Sequence, residues 1–384
     1  MNKATYFLLM ASLSAGPTAA YQSLKETGFY DTERYNSSLS INTNNENHRS
    51  KLRNQYLFGL YSPQYPLWTD GAKKRRWVYL PKNGLINTDN KDRWVFPVGT
   101  KLWKEFSLDE DGVNRKIETR FLEKVDINNW KMETYVWNDE QNDAFLAPDE
   151  GIKDHYPLGN GKFYDIPSQR DCLLCHSKAG IKEGPQREPA LGFSALQLSN
   201  DRDPNAIHGE PLKPAMISLA TLQRLRKTTT RIPKNKMPRI PESINAPLQR
   251  SVFGYLHANC GHCHNDSGIS ETVTTLDFYH DANAEYIQQN GTYKTAIAKP
   301  IADYLQPPGS PLLVIDPGYS TTSALLYRMT EEQEQYTFVV PGWHHNAGFS
   351  LTVKSKMPIV GTNVIDREAI DIISEYIDSL RTTP

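Results

Sequence analysis

The chain is predicted to be an α+β multidomain protein: an N-terminal antiparallel β domain followed by two mainly α-helical regions, each built around one Cys-x-x-Cys-His motif. Three observations predict it. Short aromatic and β-branched runs, separated by Gly, Asn and Asp clusters, fill residues 61–145. All 4 cysteines fall into two motifs of the same form. Apolar residues at helical spacing are confined to residues 217–226 and to the last third of the chain.

Length and composition set the frame for these elements. The chain has 384 residues, 38% of them hydrophobic and 23% charged, which is ordinary for a globular protein and argues against disorder or a fibre. A formal net charge of −1 gives no electrostatic reason to expect nucleic acid or an acidic membrane surface as partner. Residues 1–20 read as a secretory signal, with Lys3, an apolar stretch over residues 6–13 and small residues up to Ala20. That stretch is too short to span a bilayer, and no later one is long enough. The expected location is therefore periplasmic or secreted, with no membrane span.

Residues 21–55, rich in Asn, Ser and Thr, are expected to be an irregular lead-in. Residues 56–150 form the expected β domain. Its strands are read at 77–80, 94–98, 102–106, 119–125 and 132–137, with turns at Lys82-Asn83-Gly84 and at 109–112. Residues 151–240 form a Pro- and Gly-rich first motif region containing the helical stretch 217–226. Residues 241–384 form the second. There Val252, Phe253, Tyr255 and Leu256 lie on a helix leading into the motif. Ala369, Ile372, Ile373, Tyr376, Ile377 and Leu380 make an i, i+3, i+4, i+7 stripe on a closing helix, with Asp366 as its N-cap.

The motifs are Cys172-Leu173-Leu174-Cys175-His176 and Cys260-Gly261-His262-Cys263-His264. Two thiols three residues apart share one side of a helical turn and can add to the two vinyl groups of one haem, while the next histidine ligates its iron. The motifs are too far apart for a four-cysteine zinc site, and zinc does not require either trailing histidine. A thioredoxin-like pair lacks its βαβ surroundings. Disulfides within each motif leave His176 and His264 unexplained. Two covalently bound haem c groups, with His176 and His264 on the irons, are the preferred reading, and the two regions are then expected to be cytochrome c-like.

A second iron ligand would suit electron transfer, and a methionine there raises the potential. Met357, before Pro358 in a polar loop ahead of the closing helix, is the candidate for the second haem. For the first, Met237 is weighed ahead of Met216 and His208, with an open iron as the remaining choice. Met329 reads as core, His257 and His262 as packing or haem-edge residues, and the His344-His345 pair as solvated or touching a propionate. The Lys73-Lys74-Arg75-Arg76 cluster either docks an acidic partner or is the solvated end of a strand.

The chain resembles a family of periplasmic dihaem c-type cytochromes, functionally uncharacterised, that place a β-rich domain before two haem motifs. The likeness is carried by Pro66-Leu67-Trp68-Thr69-Asp70, residues 94–100, Glu118-Thr119-Arg120, Tyr135-Val136-Trp137-Asn138, residues 255–264, Asp316-Pro317-Gly318 and Met357-Pro358. It covers about four-fifths of the chain; residues 178–214 depart from the pattern. The resemblance implies one haem per motif and Met357 on the second iron. The expected function is single-electron transfer between periplasmic donor and acceptor proteins. The alternative is a peroxidase-like or oxidase-like enzyme with one open haem iron. A third use, binding of a saccharide or protein surface by the tryptophans of the β domain, competes with their being a packed core.

Overall fold

The computed structural model describes residues 20–30, 56–176, 188–243, 246–268, 270, 274–301, 312–330, 335–340, 349–354 and 356–380. The signal stretch up to residue 19, most of the lead-in, and His344 with His345 lie outside the described residues.

Six strands, β1 (Leu57–Leu60), β2 (Lys73–Leu80), β3 (Lys101–Glu110), β4 (Val113–Lys124), β5 (Trp130–Trp137) and β6 (Ala144–Leu146), form one sheet in chain order, each antiparallel to the next. The β3–β4 turn is Asp111-Gly112, both with positive φ (52° and 81°), the requirement of the tight hairpin turn that matches strand twist. Residues 94–98, expected as a strand, make only an isolated bridge from Asn87 to Val95. A second hairpin, β7 (Ile152–Gly159) with β8 (Lys162–Ile166), follows, and β9 (Gln335–Val340) pairs with β10 (Phe349–Lys354) late in the chain.

Side-chain alternation gives the large sheet two different faces. On one, Trp77, Trp103, Phe121, Tyr135 and Trp137 are buried together with Leu24 and Phe29, so the chain just after residue 20 is packed onto the sheet. On the other, Val78, Leu80 and Leu102 pack against Phe193, Leu198, Ile217, Leu219 and Leu222. Further along that face, Phe106 and Leu108 pack against Tyr164 and Ile166 of the β7–β8 hairpin. Of the five sheet-region tryptophans, Trp77, Trp94, Trp103 and Trp137 are buried and Trp130 is half-buried, so these aromatics are mostly core.

Six α-helices occur among the described residues: α1 (Gln169–His176), α2 (Leu219–Arg224), α3 (Gln249–Asn259), α4 (Gly291–Thr295), α5 (Ala324–Thr330) and α6 (Arg367–Ser379). The expectation of two mainly α-helical, cytochrome c-like regions is thereby corrected. The longest described helix has 13 residues, and turns, 3-10 segments and the paired strands β9 and β10 occupy most of the described residues between α3 and α6. The physical reason is compositional: Pro and Gly recur through both regions, and periodic apolar stretches are short. Where the periodicity is strong the helix forms as expected, with Asp366 accepting from the Ala369 N–H and Ala369, Ile373, Tyr376 and Ile377 buried. That face packs with Val252, Phe253, Tyr255 and Leu256 of α3 and with Tyr65, Leu196 and Ile207 from earlier in the chain. No described helix is long and apolar enough to cross a membrane.

Candidate functional site

Helix α1 begins where the β7–β8 hairpin ends. Ser168 and Asp171 cap it reciprocally: the Ser168 N–H donates to the Asp171 carboxylate (3.0 Å), and the Asp171 N–H donates to Ser168 Oγ (3.1 Å). Gln169 ties the helix to the sheet, its side-chain amide donating to the Met132 carbonyl at 3.0 Å. Three-residue spacing then turns Cys172 and Cys175 toward one cavity, while Leu173 points outward and is exposed.

The ring of His176 is oriented by a backbone carbonyl: its Nδ1 lies 2.6 Å from the Pro189 oxygen. That carbonyl is in turn fixed from the sheet. The Lys124 ammonium (2.7 Å) and the Trp130 indole N–H (2.6 Å) both bind the Glu188 carboxylate, one residue away. Nδ1 donating to a carbonyl leaves Nε2 as the acceptor nitrogen of the neutral ring. Burial favours that neutral form, pushing the His176 pKa down to about 4.

The second motif caps α3. The Cys260 N–H donates to the Leu256 carbonyl (2.9 Å), and the His264 N–H to the Cys260 carbonyl (2.9 Å), so the helical turn runs on through the motif. His264 is also held neutral by burial, its pKa lowered to about 4. Its Nδ1 is buried without a hydrogen-bond partner, and its ring meets Phe278 edge-on at 5.5 Å.

Both motifs face one cavity of about 990 Å³, at the upper end of the usual range for small-molecule sites, ~300–1,000 Å³. No disulfide joins the four cysteines, and Cys175 Sγ lies 3.8 Å from Cys263 Sγ. Burial raises the Cys172 pKa and holds Cys260 up to about 12. Met357 and Met329 also line the cavity, and the Met357 N–H donates to the Arg328 carbonyl at 2.7 Å. Arg76, Lys104 and Arg120 contribute a cationic stretch of wall.

The structure thus brings together seven of the residues selected from sequence: Cys172, Cys175, His176, Cys260, Cys263, His264 and Met357. Met237 is not among the cavity-lining residues; it packs against the core formed by the sheet and α2. Met216 is also outside the lining. His208 is engaged elsewhere, its Nε2 2.8 Å from Asp366 and its Nδ1 3.4 Å from Glu368. His257 is buried and accepts the His280 N–H at Nδ1 (3.1 Å), whereas His262 lines the cavity.

The expectation of a metal-binding group of side chains set in a helical, cytochrome c-like fold is corrected on two counts. Among the described residues no three His, Cys, Asp or Glu side chains converge in a way that could hold a metal ion. The surrounding chain, moreover, is short helices and loops rather than a helical cytochrome fold. The reason is geometric: each motif presents its two thiols and one imidazole to an open volume instead of closing around a point. Sequence reasoning missed the Pro189 carbonyl, whose role depends on a contact 13 residues away, and the inward turn of Arg76 and Lys104.

Neither a protein-family model, nor a curated protein, nor a solved structure matches the chain.

Proposed function

We propose that the chain is an exported dihaem electron carrier, with one porphyrin joined by thioether bonds to Cys172 and Cys175 and a second to Cys260 and Cys263. The observation that carries this reading is the convergence of both motifs on one large cavity, with their second cysteines 3.8 Å apart. When bound, iron porphyrin supplies a one-electron couple whose potential is set by axial ligand and burial. The chain's own groups suit such a guest. His176 is neutral, with Nδ1 engaged and Nε2 left as the ligating nitrogen. His264 is neutral and buried, and the Met357 thioether lies in the same wall. Leu102, Leu122, Ile301, Val314 and Leu325 give that wall an apolar lining that limits water. The proposed partners are donor and acceptor proteins in the exported compartment.

One observation favours a second reading. Met237, Met216 and His208 all stand outside the cavity lining, so an iron held by His176 would have an open face, as a peroxidase-like or oxidase-like enzyme requires. Mass spectrometry of the chain made in a host competent for thioether attachment is expected to show two added porphyrins, and one after Cys172→Ala with Cys175→Ala. An unmodified mass would sink both readings. Carbon monoxide binding to the reduced protein separates them: none marks the carrier, one equivalent the open iron.

A further inference from the structure

Strand pairing places three cations side by side on the sheet face that walls the cavity. Arg76 on β2 is directly opposite Lys104 on β3, and Lys104 is directly opposite Arg120 on β4. All three line the cavity beside Cys172, Cys175 and His176. Such neighbours stand about 5 Å apart at Cβ, and like charges so placed destabilise a sheet. On that face Val78, Leu102 and Leu122 form an apolar row on one side, and Lys74, Phe106 and Glu118 form the next row on the other. The row is therefore a charged strip between an apolar row and the mixed row of Lys74, Phe106 and Glu118.

Local compensation covers only part of it. Arg120 is paired with Glu118, its Nε 3.0 Å and its Nη2 2.5 Å from the two carboxylate oxygens, and Glu118 also accepts from the Tyr164 hydroxyl at 2.6 Å. The Phe106 ring lies 4.7 Å from the Lys104 ammonium and 4.3 Å from the Arg120 guanidinium. Among the described residues neither Arg76 nor Lys104 has a carboxylate within ion-pair distance, although Arg76 is only 6% exposed. Burial and the neighbouring charges of Arg76, Arg120 and Lys74 push the Lys104 pKa well below its ordinary value, so its charged form is costly beside them, a cost that falls once an anion enters the cavity.

We propose that Arg76, Lys104 and Arg120 form an anion seat that takes a pair of carboxylates or one divalent oxyanion within the cavity. The pair of carboxylates has a source in the function proposed above: the two propionates of a porphyrin attached in this cavity. The oxyanion, such as sulfate or hydrogen phosphate, needs no porphyrin. Only the propionate source rests on the dihaem reading.

The test compares the full chain with two charge-matched variants. The inner one, Arg76→Gln with Lys104→Gln, removes two cations from the seat. The outer one, Lys73→Gln with Arg75→Gln, removes two from exposed positions of the same strand. If propionates fill the seat, the inner variant lowers the midpoint potential of one haem relative to the outer, because lost positive charge favours the oxidised form, and added sulfate changes neither protein. If a free oxyanion fills it, 50 mM sodium sulfate raises the Tm of the parent and of the outer variant by several degrees and leaves the inner variant unmoved. Should the inner variant not fold, Lys104→Gln alone against Lys73→Gln gives the same comparison. A chain that carries no porphyrin is read by the sulfate arm alone, so the failure of the haem reading is distinct from failure here. Inner and outer variants that match in both potential and sulfate response would overturn the seat.

Discussion

Residue by residue, the site is held through groups that make no contact with a guest. Glu188 is the clearest, because it neutralises the fully buried Lys124 and fixes the loop whose next carbonyl aligns His176. Glu188→Ala leaves a buried ammonium without its partner and is expected to cost about 3–5 kcal/mol, read as a lowered urea midpoint at unchanged slope. A loss below about 1 kcal/mol would mean that Lys124 finds water instead. Met357 makes a different prediction, on the proposed dihaem reading: Met357→Ala retains the mass of both porphyrins but lets the reduced protein bind one more equivalent of carbon monoxide than the parent. His280, buried and with its backbone N–H on His257 Nδ1, has its pKa pushed down to about 4 by burial. Its folded value lies below the unfolded one of about 6.5, so between those values the unfolded chain binds more protons and stability falls as pH drops. The loss is about 3 kcal/mol across that window. Unfolding midpoints measured from pH 6.5 to 4 should decline less in His280→Gln than in the parent, and parallel declines would refute the assignment.

At the scale of elements, the structure depends on a few contacts between distant segments. Asp366 caps α6, accepts the Tyr255 hydroxyl of α3 at 2.9 Å and faces His208 at 2.8 Å. Replacing it with Ala removes the cap, worth about 1 kcal/mol, and strands a buried phenol, worth about 1–3 kcal/mol more. Asp366→Asn should retain most of the cap, so thermal unfolding is expected to rank parent, Asn, then Ala. Gly254 makes the α3 packing possible: a Cβ there would stand 2.0 Å from the Tyr65 ring. Gly254→Ala must displace Tyr65 and should cost about 1–3 kcal/mol despite its better helix propensity. Elements of this kind were legible from local pattern where period and cap coincided, as in α6 and the Asp111-Gly112 hairpin. Residues 94–98 look like a strand from composition, yet only Val95 pairs, exchanging two hydrogen bonds with Asn87.

Across the whole chain, the cores ignore the boundaries that composition suggests. Leu219 and Leu222 pack on the sheet, and Tyr65 packs against α3. The molecule is therefore expected to unfold in one calorimetric transition, with equal calorimetric and van't Hoff enthalpies; two resolved peaks would show that the sheet and the motif region are separate units. The antiparallel β sheet and the α6 stripe could be read in advance because each is a local pattern with its own spacing. Helical cytochrome-like regions were not borne out, since a motif specifies a turn of chain and not the fold that surrounds it. Three features emerge only from long-range packing: the meeting of Cys175 with Cys263, the Pro189 carbonyl against His176, and the cationic row across β2, β3 and β4. Each joins residues whose neighbourhood is set by strand register and by the burial of apolar faces over the full length of the chain, information that no local window of amino acids contains.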